Sequence, residues 1–97
     1  MRLPWTRRRR VEASYTGYFS DPRGYIIGPD PKYSGKFYIS HNHIQGYRNP
    51  SRFFLSEPPV EGVRYVYDTH KPGGPLDYYV TATGQFYGPD SHLPWFD

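Results

Sequence analysis

The sequence contains no cysteine, so no disulfide can crosslink the chain and no thiolate can hold a metal. This absence favours a reducing or cofactor-free setting over that of a small secreted domain. Long apolar runs are missing too: the longest hold three or four residues, whereas a membrane-spanning helix needs about 20. We therefore expect no transmembrane segment. No apolar region follows the N-terminal arginines, so we expect no ordinary secretory signal either.

Helix-forming and aliphatic residues are also scarce. The chain has two Ala, three Glu, two Gln, four Leu, four Ile and one Met. No stretch between prolines is long enough for an apolar repeat of 3.6 residues, and at most one helical turn is predicted, over residues 49–55. Because a chain of 97 residues with so few aliphatic side chains has a thin core, we predict that it lacks a stable native state when isolated and becomes ordered by docking.

Aromatic residues and turn formers are abundant instead. Aromatics make up 20% of the chain, with eleven tyrosines beside ten glycines and eleven prolines. Disordered chains are poor in aromatics, so this composition favours order. Alternating patterns predict short strands over 14–19, 36–40, 63–67, 77–82 and 85–87, the last two forming a hairpin. The predicted fold is small and all-β or largely irregular, with a few short strands, long Pro/Gly-rich connections, extended termini and almost no helix.

A Gly-Pro-Asp turn occurs twice, at 28–30 and at 88–90. Each copy follows an apolar or aromatic stretch. Because two copies of a turn do not define a repeat protein, we interpret them as independent strand exits.

Charge divides the chain into unequal parts. The formal net charge is +3, yet residues 1–10 hold five arginines and no acid, while the remainder holds seven basic and nine acidic residues. We therefore distinguish a basic N-terminal arm at 1–13, a small β or irregular body at 14–90 and an aromatic C-terminal tail at 91–97. The net-acidic body gives no sign of a broad nucleic-acid-binding face.

The arm contains four consecutive arginines, Arg7, Arg8, Arg9 and Arg10, with Trp5 nearby. Such a run can neutralise phosphates, and Trp5 can stack on a base or a side chain. RNA, an acidic lipid surface and an acidic protein surface all remain open as its partner, as does a solvated chain end. An acid-free, Arg-rich start also resembles a mitochondrial transit segment.

Residues that could carry chemistry form no recognisable site. His41 and His43 are spaced to share one side of a strand, but no third metal ligand stands at a recognisable spacing. We interpret the segment as a turn in which Asn42 adopts a left-handed conformation. Neither a nucleophile elbow nor a phosphate-binding glycine loop is present. We predict no enzyme activity, no cofactor and no metal.

Aromatic doublets are the remaining candidates. Neighbouring residues on a strand point to opposite faces, so one core cannot bury both rings of a doublet. Exposed aromatic residues are typical of contact sites. The predicted partner-binding residues in the body and tail are Phe53, Phe54, Tyr78, Tyr79, Trp95 and Phe96. Trp95 is predicted to anchor the tail against a neighbouring chain or, second, against the Tyr78-Tyr79 strand.

Together these features predict a non-catalytic structural accessory subunit that clamps a large assembly through neighbouring proteins. In kind, and not by any motif, the chain resembles small supernumerary subunits of mitochondrial respiratory complexes and ribosomes. The arginine-rich start and a pI near 9.2 favour that intracellular location. One alternative is an autonomous β-module that binds RNA or single-stranded nucleic acid through the arm and aromatic side chains. Another is a microtubule-lining or viral-shell cementing protein.

Overall fold

Eight short antiparallel strands close into a barrel. The computed structural model describes residues 13–46, 52–57, 59 and 61–96. Each strand pairs with the next along the chain, and the last pairs with the first. The strands are β1 (Ser14–Ser20), β2 (Tyr25–Ile27), β3 (Phe37–Ser40), β4 (His43–Gln45), β5 (Phe53–Leu55), β6 (Val63–Asp68), β7 (Tyr79–Thr81) and β8 (Gln85–Gly88). A 3₁₀ helix follows at Pro94–Phe96. The prediction of a small all-β fold is confirmed.

Closure depends on the pairing of β1 with β8, in which Ser14 lies opposite Gly88 and Phe19 opposite Gln85. The register shifts between Tyr15 and Phe19, as in a β-bulge. Gly17 lies within this shift at φ 94°, a conformation that glycine adopts without steric cost. The bulge lets β1 bend around the barrel and meet both of its neighbours.

The predicted strands occur at the predicted places, and three further strands join them. Tyr25–Ile27, His43–Gln45 and Phe53–Leu55 are strands. The helical turn predicted over 49–55 is therefore wrong in its described part, because β5 pairs with both β4 and β6. The turn prediction at Asn42 agrees with the structure, where its φ is 65°.

The barrel interior is filled mainly by rings. Side chains alternate along each strand, so one set points inward and the other outward. The buried core comprises Tyr18, Ile26, Phe37, Ile44, Phe53, Leu55, Val66, Val80, Phe86, Leu93, Trp95 and Phe96. Half of these side chains are aromatic, and each aromatic buries about 150–250 Å². Aromatic residues thus supply the core volume that the sparse aliphatic residues do not.

The C-terminal segment belongs to this core. Leu93 is fully buried, and Trp95 and Phe96 are only 3% and 6% exposed. The Trp95 ring packs edge-on against Phe53 and Phe86. Residues 91–96 are therefore part of the folded body, whereas the sequence suggested a separate tail at 91–97. Asp97 and the greater part of the predicted arm, residues 1–12, lie outside the described residues.

Among the described residues, a single ion pair joins Arg52, which precedes β5, to Asp68 at the end of β6. The Arg52 guanidinium donates two hydrogen bonds to Asp68, at 2.9 and 3.0 Å. The Asp68 side chain is buried and also accepts the His70 backbone N–H. Hydrogen bonding to Arg52, the largest influence, lowers the pKa of Asp68 below its usual value. The hydrogen bonds from Arg52 and His70 thus stabilise the negative charge of the buried Asp68 carboxylate.

Candidate functional site

Four tyrosines form a continuous row on the outside of the barrel. They are Tyr15 on β1, Tyr87 on β8, Tyr79 on β7 and Tyr65 on β6, and we call them the tyrosine row. Tyr15 pairs with Tyr87, Tyr87 with Tyr79, and Tyr79 with Tyr65 in the strand register. Because each position lies on the outward side of its strand, the four rings align across four neighbouring strands.

The rings of the row contact one another. Tyr79 and Tyr87 are parallel within 2°, with centroids 5.5 Å apart. Tyr15 lies 5.7 Å from Tyr87 at a 41° tilt, and Tyr65 lies 5.8 Å from Tyr79 at 61°. Both middle rings therefore have a neighbouring ring on each side. Cross-strand aromatic pairs of this kind stabilise a sheet by roughly 0.2–1 kcal/mol each.

The row carries no formal charge. On β1, β6, β7 and β8 the charged residues are Arg64 and Asp68, and both lie on the side of β6 opposite Tyr65. Arg64 donates to the Asn42 side chain, and Asp68 binds Arg52. In the described part of the chain, none of the four hydroxyls of the row makes a hydrogen bond. On the outward side of these four strands, the surface thus offers aromatic rings and available hydroxyls without a cation or an anion.

Two smaller aromatic groups lie elsewhere on the outside. Phe54 stacks on Tyr67 with centroids 5.2 Å apart, and His43 lies 5.9 Å from Phe54. Tyr25 and Tyr38, each about two-fifths exposed at 38% and 40%, pack 5.7 Å apart. The Arg23 guanidinium lies over the Tyr25 ring. Neither group forms a row across four strands.

The structure places some of the predicted site residues in the core and others on the outside of the barrel. Phe53, Trp95 and Phe96 lie in the protein's own core, so their rings are not presented to a partner. The neighbouring-chain anchor predicted for Trp95 therefore has no support in this structure. Phe54 and Tyr79 point outward, and of the predicted set Tyr79 alone belongs to the tyrosine row. The predicted contacts at Arg7, Arg8, Arg9, Arg10 and Trp5 lie outside the described residues.

Tyr78 has a structural role. Its ring occupies the space next to Gly88, where an added Cβ would overlap it. The hydroxyl donates to Asp90 at 2.9 Å. Burial, helped by this hydrogen bond, raises the pKa of Tyr78 well above its ordinary value of 10.0. The hydroxyl remains neutral and acts as a hydrogen-bond donor.

Sequence reasoning missed Tyr15, Tyr65 and Tyr87 as site residues. The available signal was the alternation along each strand, which places Tyr65 outward together with Tyr67. The strand order that brings β1 next to β8 is not visible in any local pattern. Without that order, the four tyrosines could not be assembled into one surface.

The described residues contain no group of three or more His, Asp or Glu side chains placed to hold a metal. They also include no helix long and apolar enough to span a membrane. Comparison with protein-family models, curated proteins and solved structures finds no match to this chain. A proposal about function therefore depends on the geometry of the surface.

Proposed function

We propose that this protein is a non-catalytic docking subunit of a larger assembly and that the tyrosine row is its contact surface. The observation that carries the proposal is the alignment of four outward rings across β1, β8, β7 and β6 on strands with no outward charge. Tyrosine is enriched at protein interfaces, and charged residues are depleted at their centres. The five arginines of residues 1–10 and the basic pI make a mitochondrial assembly the first setting to examine.

The strands that carry the four tyrosines are packed against the barrel core, and this favours a docking function. Each ring of the row is held by a strand whose opposite side is packed into the barrel core, for example by Val80 next to Tyr79 and by Phe86 next to Tyr87. A partner that binds the row therefore orders few new side chains, which lowers the entropic cost of association. The free hydroxyls supply hydrogen bonds at the edge of an otherwise apolar contact.

Binding of single-stranded nucleic acid is the competing function. Bases stack on open aromatic faces, and a base between two rings needs them roughly 7 Å apart, twice the contact distance between carbon atoms. Tyr79 and Tyr87 are 5.5 Å apart and parallel, and each has a further ring on its other side. The row also has no outward cation to meet phosphates. These features favour a protein partner.

The test compares two pairs of tyrosines in the full-length chain, expressed in its native cells. In one variant, Tyr79 and Tyr87 are both replaced by Ser. In the matched control, Tyr25 and Tyr38 are both replaced by Ser. Gradient sedimentation of the lysate then shows whether each tagged chain travels with a large particle. We expect the wild type and the control to sediment as part of the particle and the row variant as a free chain, because interface tyrosines of this type contribute about 2 kcal/mol or more.

Thermal unfolding of each purified variant shows whether the barrel itself remains intact. If the row variant is folded and sediments with the particle like the wild type, the row is not the contact surface. Release of the wild type by ribonuclease, together with binding of purified protein to a uridine oligonucleotide, would support the nucleic-acid function instead. A wild-type chain that sediments alone contradicts the docking proposal altogether.

A further inference from the structure

A groove opens at the end of the barrel where β2 and β8 finish and β1 begins. Its volume is about 370 Å³, and its walls include Pro29, Asp30, Tyr33, Ser91, His92 and Phe96. We call it the end groove. It lies at the low end of the roughly 300–1,000 Å³ typical of binding sites. That size suits a side chain or a small molecule, and none of these residues belongs to the tyrosine row.

The two Gly-Pro-Asp turns build the rim of the groove. In the first, the Asp30 backbone N–H donates to the Tyr18 hydroxyl, and the Asp30 carboxylate accepts the Lys32 N–H at 3.0 Å. In the second, Asp90 accepts the His92 N–H at 2.9 Å. Both carboxylates thus hold the backbone two residues further on in an Asx turn. The turns fix where the groove residues lie.

One wall of the groove is an aromatic ring that already receives a cation. Tyr33 stacks on Phe96 with centroids 4.0 Å apart and planes within 5°, so one of its faces is covered. The Lys32 ammonium lies 5.4 Å from the Tyr33 centroid. Attraction of a cation to a ring of this kind amounts to about 0.5–1 kcal/mol at an exposed site. The contact with Lys32 therefore indicates that the Tyr33 ring can bind a cation.

A carboxylate completes the arrangement. Asp30 is exposed at the rim, and its Oδ1 accepts the Lys32 N–H. In the described part of the chain, its Oδ2 accepts no hydrogen bond. A planar guanidinium can stack on an aromatic ring and donate to a carboxylate at the same time, which an ammonium does less well.

From this geometry we propose that the end groove binds an arginine side chain of a basic polypeptide segment. The guanidinium lies against Tyr33, in place of the Lys32 ammonium, and donates to Asp30. The Asp30 carboxylate favours a cationic occupant over an acidic one, and the volume of the groove favours a single side chain over a bulky group. The inference is independent of the tyrosine row, because the two surfaces share no residue.

The test uses the full chain with Arg7 to Arg10 replaced by Ser, so that its own arginines do not compete. The probe is the peptide acetyl-Gly-Arg-Gly-amide, with the lysine peptide of the same design beside it. Amide chemical shifts measured by NMR during titration report both the affinity and the place of binding. We expect saturable shifts confined to the surroundings of Asp30, Tyr33 and Ser91, and tighter binding of the arginine peptide.

Single substitutions sharpen the test. Asp30→Asn keeps the Asx turn and removes the charge, so it should weaken binding about two- to five-fold, the range of an exposed ion pair. Lys32→Ala removes the competing cation and should strengthen binding. Glu61→Gln, in the turn at the other end of the barrel, is the matched control and should change nothing.

Equal effects of Asp30→Asn and Glu61→Gln, or shifts spread over all acidic residues, would show unspecific attraction and overturn the proposal. Absence of saturable shifts would overturn it as well. A wild-type chain that binds the peptide more weakly than the Ser-substituted chain would support it and identify Arg7 to Arg10 as a competing occupant.

Discussion

At the scale of single residues, two glycines determine where two tyrosines lie. A Cβ at Gly28 would overlap the Tyr18 ring, and one at Gly88 would overlap the Tyr78 ring. Each glycine follows its tyrosine by the same number of positions and is followed by Pro and Asp. As predicted from the sequence, each Gly-Pro-Asp turn comes at the end of a strand. The two turns are also alike in having a tyrosine ring packed against the glycine.

The Tyr78 hydroxyl makes stability sensitive to alkaline pH. In the folded chain its pKa is raised above the ordinary value of 10.0 by burial and by Asp90. Above pH 10 the unfolded chain loses this proton while the folded chain keeps it, so the free energy of unfolding should fall as pH rises. Urea denaturation between pH 8 and pH 11 measures this dependence.

Replacement of Tyr78 by Phe is the control for this effect. The variant lacks the titrating group, so its free energy of unfolding should fall less steeply between pH 10 and pH 11 than that of the wild type. Identical slopes for the two chains would mean that Tyr78 ionises equally readily in both states, contrary to its partly buried position beside Asp90.

At the scale of elements, the C-terminal 3₁₀ helix closes the core. Trp95 contacts Phe53 and Phe86, and Phe96 contacts Tyr18 and Phe37. Truncation after His92 removes these rings together with Leu93 and should abolish the folded state. The single change Trp95→Ala should destabilise the barrel by about 3–5 kcal/mol, because it leaves a cavity among packed rings.

Circular dichroism in the near ultraviolet and urea denaturation measure this loss. Ser91→Ala, an exposed position just before the segment, serves as the control and should remain within about 0.5 kcal/mol of the wild type. If the truncated chain unfolds at the same urea concentration as the full chain, the segment is not a structural part of the barrel.

The strands of the barrel could be predicted where alternation was clear. Residues 63–67 and 85–87 fall within β6 and β8 because outward tyrosines alternate with the inward residues Val66 and Phe86 at a period of two. β5 could not be predicted, since Phe53-Phe54-Leu55 is apolar on both sides: Phe53 and Leu55 enter the core and Phe54 stacks on Tyr67. Whether these three residues form a strand or a helical turn depends on β4 and β6, with which they pair.

The tyrosine row and the burial of Trp95 in the protein's own core, rather than against a neighbouring chain, were harder to predict for the same reason. Both depend on which strands become neighbours and on the unfilled end of a closed barrel. Local propensity contains neither piece of information. Tyr79 was predicted as a contact residue only because it stood in a doublet, and the doublet's other member, Tyr78, is a structural residue.

At the scale of the whole molecule, closure changes the expected stability. The sequence suggested that the isolated chain lacks a native state, but the barrel has a continuous core and ladder hydrogen bonds along β1 and β8. We therefore expect purified full-length protein to unfold in one cooperative transition. Far-ultraviolet circular dichroism and tryptophan fluorescence should give coincident curves in urea. Circular dichroism and fluorescence curves that differ, or a gradual loss of signal with no folded-state baseline, would contradict a barrel that unfolds in one cooperative transition.

The same closure sets an order of events during synthesis. Hairpins such as β7–β8 join neighbouring residues and form within about 1–10 μs, whereas chains grow at about 5–20 residues per second. The hydrogen bond from the Thr16 hydroxyl to the Phe86 carbonyl joins positions 70 residues apart, so it waits until nearly all of the barrel has been made. For seconds, β1 is a strand edge without its partner, and such edges pair readily with other chains. The nascent protein is therefore most exposed to aggregation at its first strand, and a chaperone that covers β1 until β8 emerges would raise the yield of folded protein.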